Sequence, residues 1–320
     1  MDVRAALKHG ISQLREAHVP SFTLATELLL LHVIGRDRTW LYAHPEEPFP
    51  ASDGARFFEL IKRRAAGEPT QHLTGKQEFW GLEFAVTPDV LIPRPETEHV
   101  IEVALDRLAL RELRNGRSQI LTGEGLSIAD IGTGSGCIAV ALAKELPAAS
   151  FYATDISPAA LAVARRNAAR HSVSERVRFV ESNLFEAFSH ETAQHVAPLQ
   201  KGTSKADGES ANPCQPILTF DLIVSNPPYI GRREAASLMR EVRDHEPEIA
   251  LYGGEEGYEL YAGLIAQSGV YLKPGGLVVL ELGHDSLPAV HPLLDAPTWT
   301  NVGVTNDLAG IPRVIGAQKL

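Results

Sequence analysis

Apolar positions spaced three and four apart predict amphipathic helices over residues 2–17 and 21–34, the second opening with Ser21 as its N-cap. Leu24, Leu28 and Leu31 repeat at helical spacing there, and Leu29 and Leu30 widen the apolar face. A third helix is expected over 51–66, stopped by Gly67 in the role of a C-terminal cap. These helices predict a small all-α domain over residues 1–70, the alternative being decoration on the main core. The pattern then changes. In Phe79-Trp80-Gly81-Leu82-Glu83-Phe84-Ala85-Val86, aromatic and branched side chains surround a glycine, which predicts a β-hairpin inside a linker over 71–95. Pro88, Pro93 and Pro95 punctuate that linker before a helix over 96–113.

From Ser127 onward, short apolar runs at 127–131, 150–154, 176–181, 220–225 and 277–282 alternate with helical patterns at 136–146, 158–171 and 256–269. Such alternation predicts a parallel sheet covered on both faces. Segments near 300–305 and 312–317 fit a terminal antiparallel hairpin. The expected fold class is therefore α/β: a doubly wound, mostly parallel, Rossmann-like sheet over 96–320, preceded by the small all-α domain. Residues 189–216 are polar, rich in Ser, Gly, Pro and Ala, and without period, and are read as a mobile insertion.

Composition narrows the function. Apolar residues at 44% and charged residues at 22% suit a soluble enzyme. Thirty Lys and Arg against 40 Asp and Glu, a formal charge of −10, argue against a protein that binds by neutralising phosphates, so no nucleic-acid partner is expected. Cys137 and Cys214, the two cysteines, are too few and too far apart for a disulfide framework or a zinc site. His190-Glu191 and His195 follow H-E-x-x-x-H, one residue too long to put both imidazoles on one helical face, so no metal is expected. The N-terminus lacks an uninterrupted apolar core, and the greasiest stretch, 24–34, is broken by Glu27 and His32. Cytoplasmic residence without a membrane contact is the expectation.

Three constellations carry chemistry. In Ser127-Ile128-Ala129-Asp130-Ile131-Gly132-Thr133-Gly134-Ser135-Gly136-Cys137 a buried strand runs into a glycine-rich turn, and a helix follows at once. Glycines there let the backbone approach a ligand where a side chain would collide. A dinucleotide fingerprint would need its third small residue at position 137; with glycines at 132, 134 and 136 the turn suits a nucleoside such as S-adenosylmethionine. Taken alone, the turn leaves NAD, or no ligand, open. Asp155 closes the next strand, 19 residues after Gly136, where a carboxylate can accept from both ribose hydroxyls of either cofactor; capping the following helix is the alternative role. Ser157-Pro158 after it fits an N-cap with proline in the first helical position.

The third constellation is Asn226-Pro227-Pro228-Tyr229, directly after the strand Phe220-Asp221-Leu222-Ile223-Val224-Ser225. Two prolines fix φ and remove two donors, leaving carbonyls that no neighbouring N–H claims. The Asn226 side-chain oxygen and the Pro227 carbonyl form two acceptors suited to one NH2 group, and Tyr229 offers an aromatic wall for a planar group. An amide or exocyclic amine attacks poorly because its lone pair is delocalised. Holding both N–H bonds from one side orients that lone pair as the nitrogen pyramidalises.

With these residues the chain resembles the class I aminomethyltransferases, and more narrowly the release factor glutamine methyltransferases (the PrmC or HemK group). Supporting segments are Gly67-Glu68-Pro69-Thr70-Gln71-His72-Leu73-Thr74-Gly75, Glu246-Pro247, Gly253-Gly254-Glu255-Glu256-Gly257 and Leu272-Lys273-Pro274-Gly275-Gly276. The most specific is Leu91-Ile92-Pro93-Arg94-Pro95-Glu96-Thr97-Glu98, which generic adenine methyltransferases do not carry. The resemblance implies S-adenosyl-L-methionine as cofactor and, as substrate, the glutamine of a Gly-Gly-Gln loop in peptide chain release factors. It also implies a helical domain that grips the factor, and an enzyme that is monomeric apart from its substrate complex. Gly132, Thr133, Gly134, Ser135 and Gly136 would line the methionine part of the cofactor, Asp155 would hold its ribose, and Asn226, Pro227, Pro228 and Tyr229 would hold the glutamine. Asn183 and Leu184 fall where the family contacts adenine; the family commonly has Asp at the first, and an Asn oxygen can still accept from the adenine amino group without charge assistance.

The same tetrapeptide would serve a ribosomal protein glutamine methyltransferase or an adenine-N6 methyltransferase. The latter should show a basic surface for base flipping, which the −10 charge opposes. An NAD-dependent oxidoreductase should carry a visible hydride-transfer acid or base, and a non-catalytic binding module gives Asn226 and Asp155 no purpose.

Overall fold

The structure is a computed structural model in which residues 1–114, 116, 121–189, 218–295 and 297–320 are described. The chain divides into two compact units: Met1–Gln77 with Val86–Pro88 and Ser237–Glu246, and Glu78–Ala85 with Asp89–Ala236 and Pro247–Leu320. The first is helical, comprising α1 (Val3–Glu16), α2 (Phe22–Ile34), α3 (Arg38–Ala43), α4 (Ala51–Ala65) and α5 (Thr70–Thr74). Leu14, Leu29, Leu30, Phe57 and Ile61 are its fully buried centre. Asp2 caps α1, accepting from Ala5 N at 2.7 Å.

Two expectations about α2 are corrected. Ser21 lies in the left-handed region, at φ 49°, and its hydroxyl makes no cap bond. The buried face is Ala25, Leu29, Leu30 and Val33, with Leu24 and Leu28 turned outward. This helix is apolar almost all round, so spacing alone chooses no face; packing against α1 and α4 does. The six-residue α3 has too few turns to show a period. It is held instead by polar contacts: Asp37 accepts from Trp40 N at 2.7 Å, and the buried Glu27 carboxylate takes Arg38 at 2.7 Å and the Tyr42 hydroxyl at 2.6 Å.

Next in the chain, β1 (Lys76–Phe79) and β2 (Leu82–Ala85) form a hairpin whose two turn residues, Trp80 and Gly81, both have positive φ. That is the geometry whose twist matches paired strands. After α6 (Glu98–Arg114) the alternating elements are β3 (Ser127–Ile131), α7 (Cys137–Glu145), β4 (Ser150–Asp155), α8 (Pro158–Arg170), β5 (Val177–Glu181) and β6 (Phe220–Ser225). Two short strands, β7 (Ile230–Gly231) and β8 (Tyr252–Gly254), pair with each other. The helix Glu259–Tyr271 then leads to β9 (Leu272–Glu281), and the antiparallel pair β10 (Trp299–Asn306) and β11 (Pro312–Lys319) closes the chain.

The main sheet has the order β10-β11-β9-β6-β3-β4-β5. The five strands β9 to β5 are parallel, and β11 runs antiparallel to β9. This is the Rossmann-like, mostly parallel sheet expected, with its terminal antiparallel hairpin. Alternate residues feed opposite layers: Leu222 and Val224 join one apolar cluster with Val140 and Phe151, while Ile223 joins the other with Tyr261 and Leu280. The strand expected over 277–282 starts earlier, because Leu272 pairs with Phe220 before a register shift. The insertion expected over 189–216 falls, apart from Ser189, outside the described residues, as do His190, Glu191, His195 and Cys214.

Asn167, fully buried on α8, ties the hairpin to the ligand side of the sheet. Its amide accepts from Ala85 N at 2.8 Å and donates to Ala85 O at 3.0 Å and Ser135 O at 2.8 Å. Replacing it by alanine strands three backbone groups, two on the half-buried Ala85 and one on the buried Ser135. Asn167→Ala should lower stability by about 2–4 kcal/mol, read as a shift in the urea midpoint; a loss near zero would mean these groups find other partners.

Candidate active site

Three adjacent parallel strands, β4, β3 and β6, end at one edge and bring Asp155, the turn after Ile131 and Asn226 together. Register makes this close: Asp130 pairs with Val224, and the buried Ser225 hydroxyl donates to Ile131 O at 2.6 Å. The carboxyl ends of such strands are where open α/β sheets bind ligands. A cavity of about 560 Å³ opens there, lined by Gly132, Thr133, Gly134 and Ser135, by Asp155, Asn183 and Leu184, and by Asn226, Pro227 and Pro228. Other walls include Leu91, Pro93 and Thr97, Ile156 and Ala160, Cys137, and Tyr252. Gly136 and Tyr229 are not among the lining residues.

The glycine turn is held by its own chain. Thr133 N donates to Thr154 O at 2.7 Å, Gly134 N to an Asp155 carboxylate oxygen at 2.8 Å, and Gly136 N to Thr133 O at 2.8 Å. Those three N–H groups are therefore not left to cradle a pyrophosphate, which counts against a dinucleotide. Gly132 and Gly134 have φ of 74° and 55°, and a Cβ on either would meet no protein atom within 4 Å. They are glycine because of backbone conformation and open space. Gly136 has a different reason: it packs against Ala164 of α8.

Asp155 accepts from Gly134 N through one oxygen and from Ser157 N, at 2.9 Å, through the other. The carboxylate keeps lone-pair capacity for a hydroxyl beyond these bonds. Burial raises its pKa, and the hydrogen bonds from Ser157, Gly134 and Ile156 oppose that. Capping of α8 falls to Ser157, whose hydroxyl accepts from Ala160 N at 3.2 Å. Asn183 is exposed at the rim; its Nδ2 donates to Glu186 at 2.8 Å, which leaves Oδ1 as its outward acceptor.

Asn226 Nδ2 donates to Thr97 Oγ1 at 3.1 Å. Neither Asn226 Oδ1 nor the Pro227 carbonyl has a hydrogen-bond donor among the described residues. The tetrapeptide is buttressed from behind by Gly253, where any Cβ would collide with the Pro228 carbonyl. The half-buried Tyr229 packs against an apolar cluster beside Gly283, and burial, with the nearby Glu281, raises its pKa. Sequence reasoning missed two side chains here. Thr97 sits in the Leu91 to Glu98 segment, quoted above for resemblance without any chemistry attached. Glu281, buried at the end of β9, showed only as a charge closing an apolar run.

Residues 5–75 match the family described as the PrmC N-terminal domain, and residues 118–207 match the methyltransferase small domain. The chain is 41% identical over 319 residues to the release factor glutamine methyltransferase of Koribacter versatilis, covering 100% of this chain and 99% of the relative. The enzyme of the same name from Moorella thermoacetica is 39% identical over 320 residues, covering 100% and 99%. That from Geobacter sulfurreducens is 37% identical over 316 residues, covering 99% and 96%. This chain belongs to the release factor glutamine methyltransferase family.

Two carboxylates of this family member are fully buried beside the cavity. Asp130 accepts from the Thr133 hydroxyl at 2.6 Å and from Ala139 N at 3.2 Å, joining turn to helix, and burial pushes its pKa up to about 7. Burial likewise pushes Glu281 up to about 7, against hydrogen bonds from Thr97 and Tyr229. Cys137, at the cavity wall, is raised to about 12 by burial and stays a thiol. No group of His, Cys, Asp and Glu among the described residues has the arrangement of a metal site. No helix among them is long and apolar enough to cross a membrane.

A carboxyl with a raised folded-state pKa binds its proton more tightly folded than unfolded. Its contribution is whole below the unfolded value, 3.8 for Asp130 and 4.5 for Glu281, and is lost as pH rises toward about 7. Stability should therefore fall between about pH 4 and pH 8, each group accounting for roughly 3–4 kcal/mol. Asp130→Asn and Glu281→Gln should each flatten that slope in urea titrations at pH 5 and pH 8. An unchanged slope would mean that these carboxyls ionise as freely folded as unfolded.

Proposed function

We propose that this chain transfers the methyl group of S-adenosyl-L-methionine to the side-chain amide nitrogen of the glutamine in a Gly-Gly-Gln segment of a peptide chain release factor. Membership in the family supports the substrate class, and the cavity supports the cofactor. The observation that carries the reading is the turning of Asn226 Nδ2 onto Thr97, which leaves Oδ1 and the Pro227 carbonyl as neighbouring unclaimed acceptors in the same cavity as Gly132, Gly134 and Asp155.

The cofactor's features fit these residues. Open space over Gly132 and Gly134 would take its methionine part, spare lone pairs on Asp155 would take the ribose hydroxyls, and Asn183 Oδ1 would accept from the adenine amino group, with Ile156 and Leu184 as apolar lining. When bound, it supplies a methyl group made electrophilic by a sulfonium. Asn226 and Pro227 accept the two N–H bonds of the glutamine amide, so its lone pair points across the cavity. The same oxygens stabilise positive charge developing on nitrogen, and no strong base is required because the methylated cationic amide is very acidic. Tyr229 contributes through the backbone it anchors. The helical domain, residues 1–70 in the sequence reading, is the part we assign to holding the release factor, with the hairpin segment 71–95 as its linker to the catalytic domain.

The deciding experiment supplies isotopically labelled S-adenosylmethionine with release factor, ribosomal protein, DNA and tRNA in parallel, and locates the methyl by mass spectrometry. Label on the Gly-Gly-Gln glutamine is expected; label on a ribosomal protein or on adenine would replace this reading. Asn226→Ala should lower turnover about 5- to 150-fold with cofactor affinity nearly intact, and near wild-type turnover would refute the acceptor role. Asp155→Ala should instead weaken cofactor binding in calorimetry by about tenfold or more; unchanged affinity would refute the ribose assignment.

A further inference from the structure

An asparagine amide is nearly symmetric in shape, so the direction of Asn226 must be imposed by its partner. That partner, the Thr97 hydroxyl, could equally donate to an amide oxygen or accept from an amide nitrogen. A single bond between the two therefore fixes nothing. What breaks the symmetry lies one step further away. Thr97 is 2% exposed, and its hydroxyl hydrogen-bonds the Glu281 side chain, which is 1% exposed. The Tyr229 phenol also hydrogen-bonds this carboxyl. Glu281 Oε2 has no hydrogen-bond partner among the described residues, so the hydroxyl is held through the other oxygen. A proton on the carboxyl would sit on the unpartnered oxygen, and the other remains an acceptor in either ionisation state.

We propose that Glu281 and Thr97 are positioning residues for methyl transfer: the buried carboxyl takes the hydroxyl hydrogen of Thr97, the Thr97 oxygen is left only to accept, and Asn226 must therefore present Nδ2 to it and Oδ1 to the substrate nitrogen. The assignment rests on the reading of Asn226 as an acceptor for the glutamine amide. It explains why a carboxylate lies buried at the end of β9 with one oxygen unpartnered, a placement that costs stability at neutral pH. It also gives the segment Pro93-Arg94-Pro95-Glu96-Thr97 a chemical task, since the 3₁₀ turn Pro95–Thr97 carries the hydroxyl to the tip of β6.

Reversing any link should turn the Asn226 amide over, so that it meets the substrate NH2 with a donor. Thr97→Val keeps the shape and removes the hydroxyl; kcat should fall about 10- to 100-fold while the Kd for S-adenosylmethionine stays within about twofold. Thr97→Ser should restore kcat to within about threefold. Glu281→Gln retains an acceptor oxygen and should keep most of kcat, whereas Glu281→Met, which frees the Thr97 hydroxyl to donate to Asn226, should fall like Thr97→Val. Melting temperature separates these effects from simple destabilisation, because a structural role would lower Tm without distinguishing Ser from Val in kcat. Side-chain hydrogen exchange of Asn226, followed by ¹⁵N NMR, reads the relay without any substrate. Exchange should be slow in the wild type and in Thr97→Ser, and at least about tenfold faster in Thr97→Val, since a lost hydrogen bond exposes the amide. Equal exchange in all three, or wild-type kcat in Thr97→Val, overturns the relay. A wild-type enzyme that leaves the Gly-Gly-Gln glutamine unmethylated, with the exchange pattern intact, would overturn the functional reading and leave the relay standing.

Discussion

A nitrogen whose lone pair is shared with a carbonyl attacks carbon only when something else holds its two hydrogens. This constraint governs the geometry at the carboxyl edge of the sheet. Two acceptors must be close together, unclaimed by the protein, and fixed in direction before the substrate arrives, because a freely rotating amide would present a donor half of the time. In the function proposed, Asn226 Oδ1 and the Pro227 carbonyl are that pair; neither has a donor among the described residues, and the two prolines remove competing N–H groups. The third condition comes from Thr97, which belongs to a segment more than a hundred residues away in the chain.

The sheet supplies the rest by register. With β3 between β4 and β6, a one-residue offset would separate the glycine turn from Asn226 by a strand step of about 3.3 Å and turn alternate side chains to the wrong face. The Ser225 bond to Ile131 O holds that register at its end. Asp130 and Asp155 then hold the turn itself, one from the helix side and one from the neighbouring strand. Both carboxylates are buried or half-buried, and desolvation raises the pKa of each. The protein thus maintains a costly polar scaffold beneath an open backbone surface, consistent with a site whose shape matters more than its contribution to stability.

Much of this was legible beforehand because periodicity reports burial. The strands at 127–131 and 220–225 begin and end where the apolar runs do. Glycines at 132 and 134 and the Pro-Pro pair marked segments that the fold brings to one cavity. The misreadings have physical causes. In α2 almost every side is apolar, so spacing cannot say whether Leu24 and Leu28 or Leu29 and Leu30 face inward. Gly136 and Tyr229, grouped by motif with their neighbours, do not line the cavity: Gly136 packs against Ala164, and the half-buried Tyr229 packs against an apolar cluster. Thr97 and Glu281 were invisible for another reason: they act through a hydrogen-bond path that joins distant segments, and no local pattern encodes it.

The central claim concerns which atoms of a glutamine amide lie against which atoms of the protein. A crystal structure of the enzyme with S-adenosylhomocysteine and a peptide containing Gly-Gly-Gln tests it most directly. The account predicts the glutamine nitrogen within hydrogen-bonding distance of both Asn226 Oδ1 and the Pro227 carbonyl, with its free face toward the sulfur. A glutamine bound through its oxygen at Asn226, or seated outside this cavity, would contradict it.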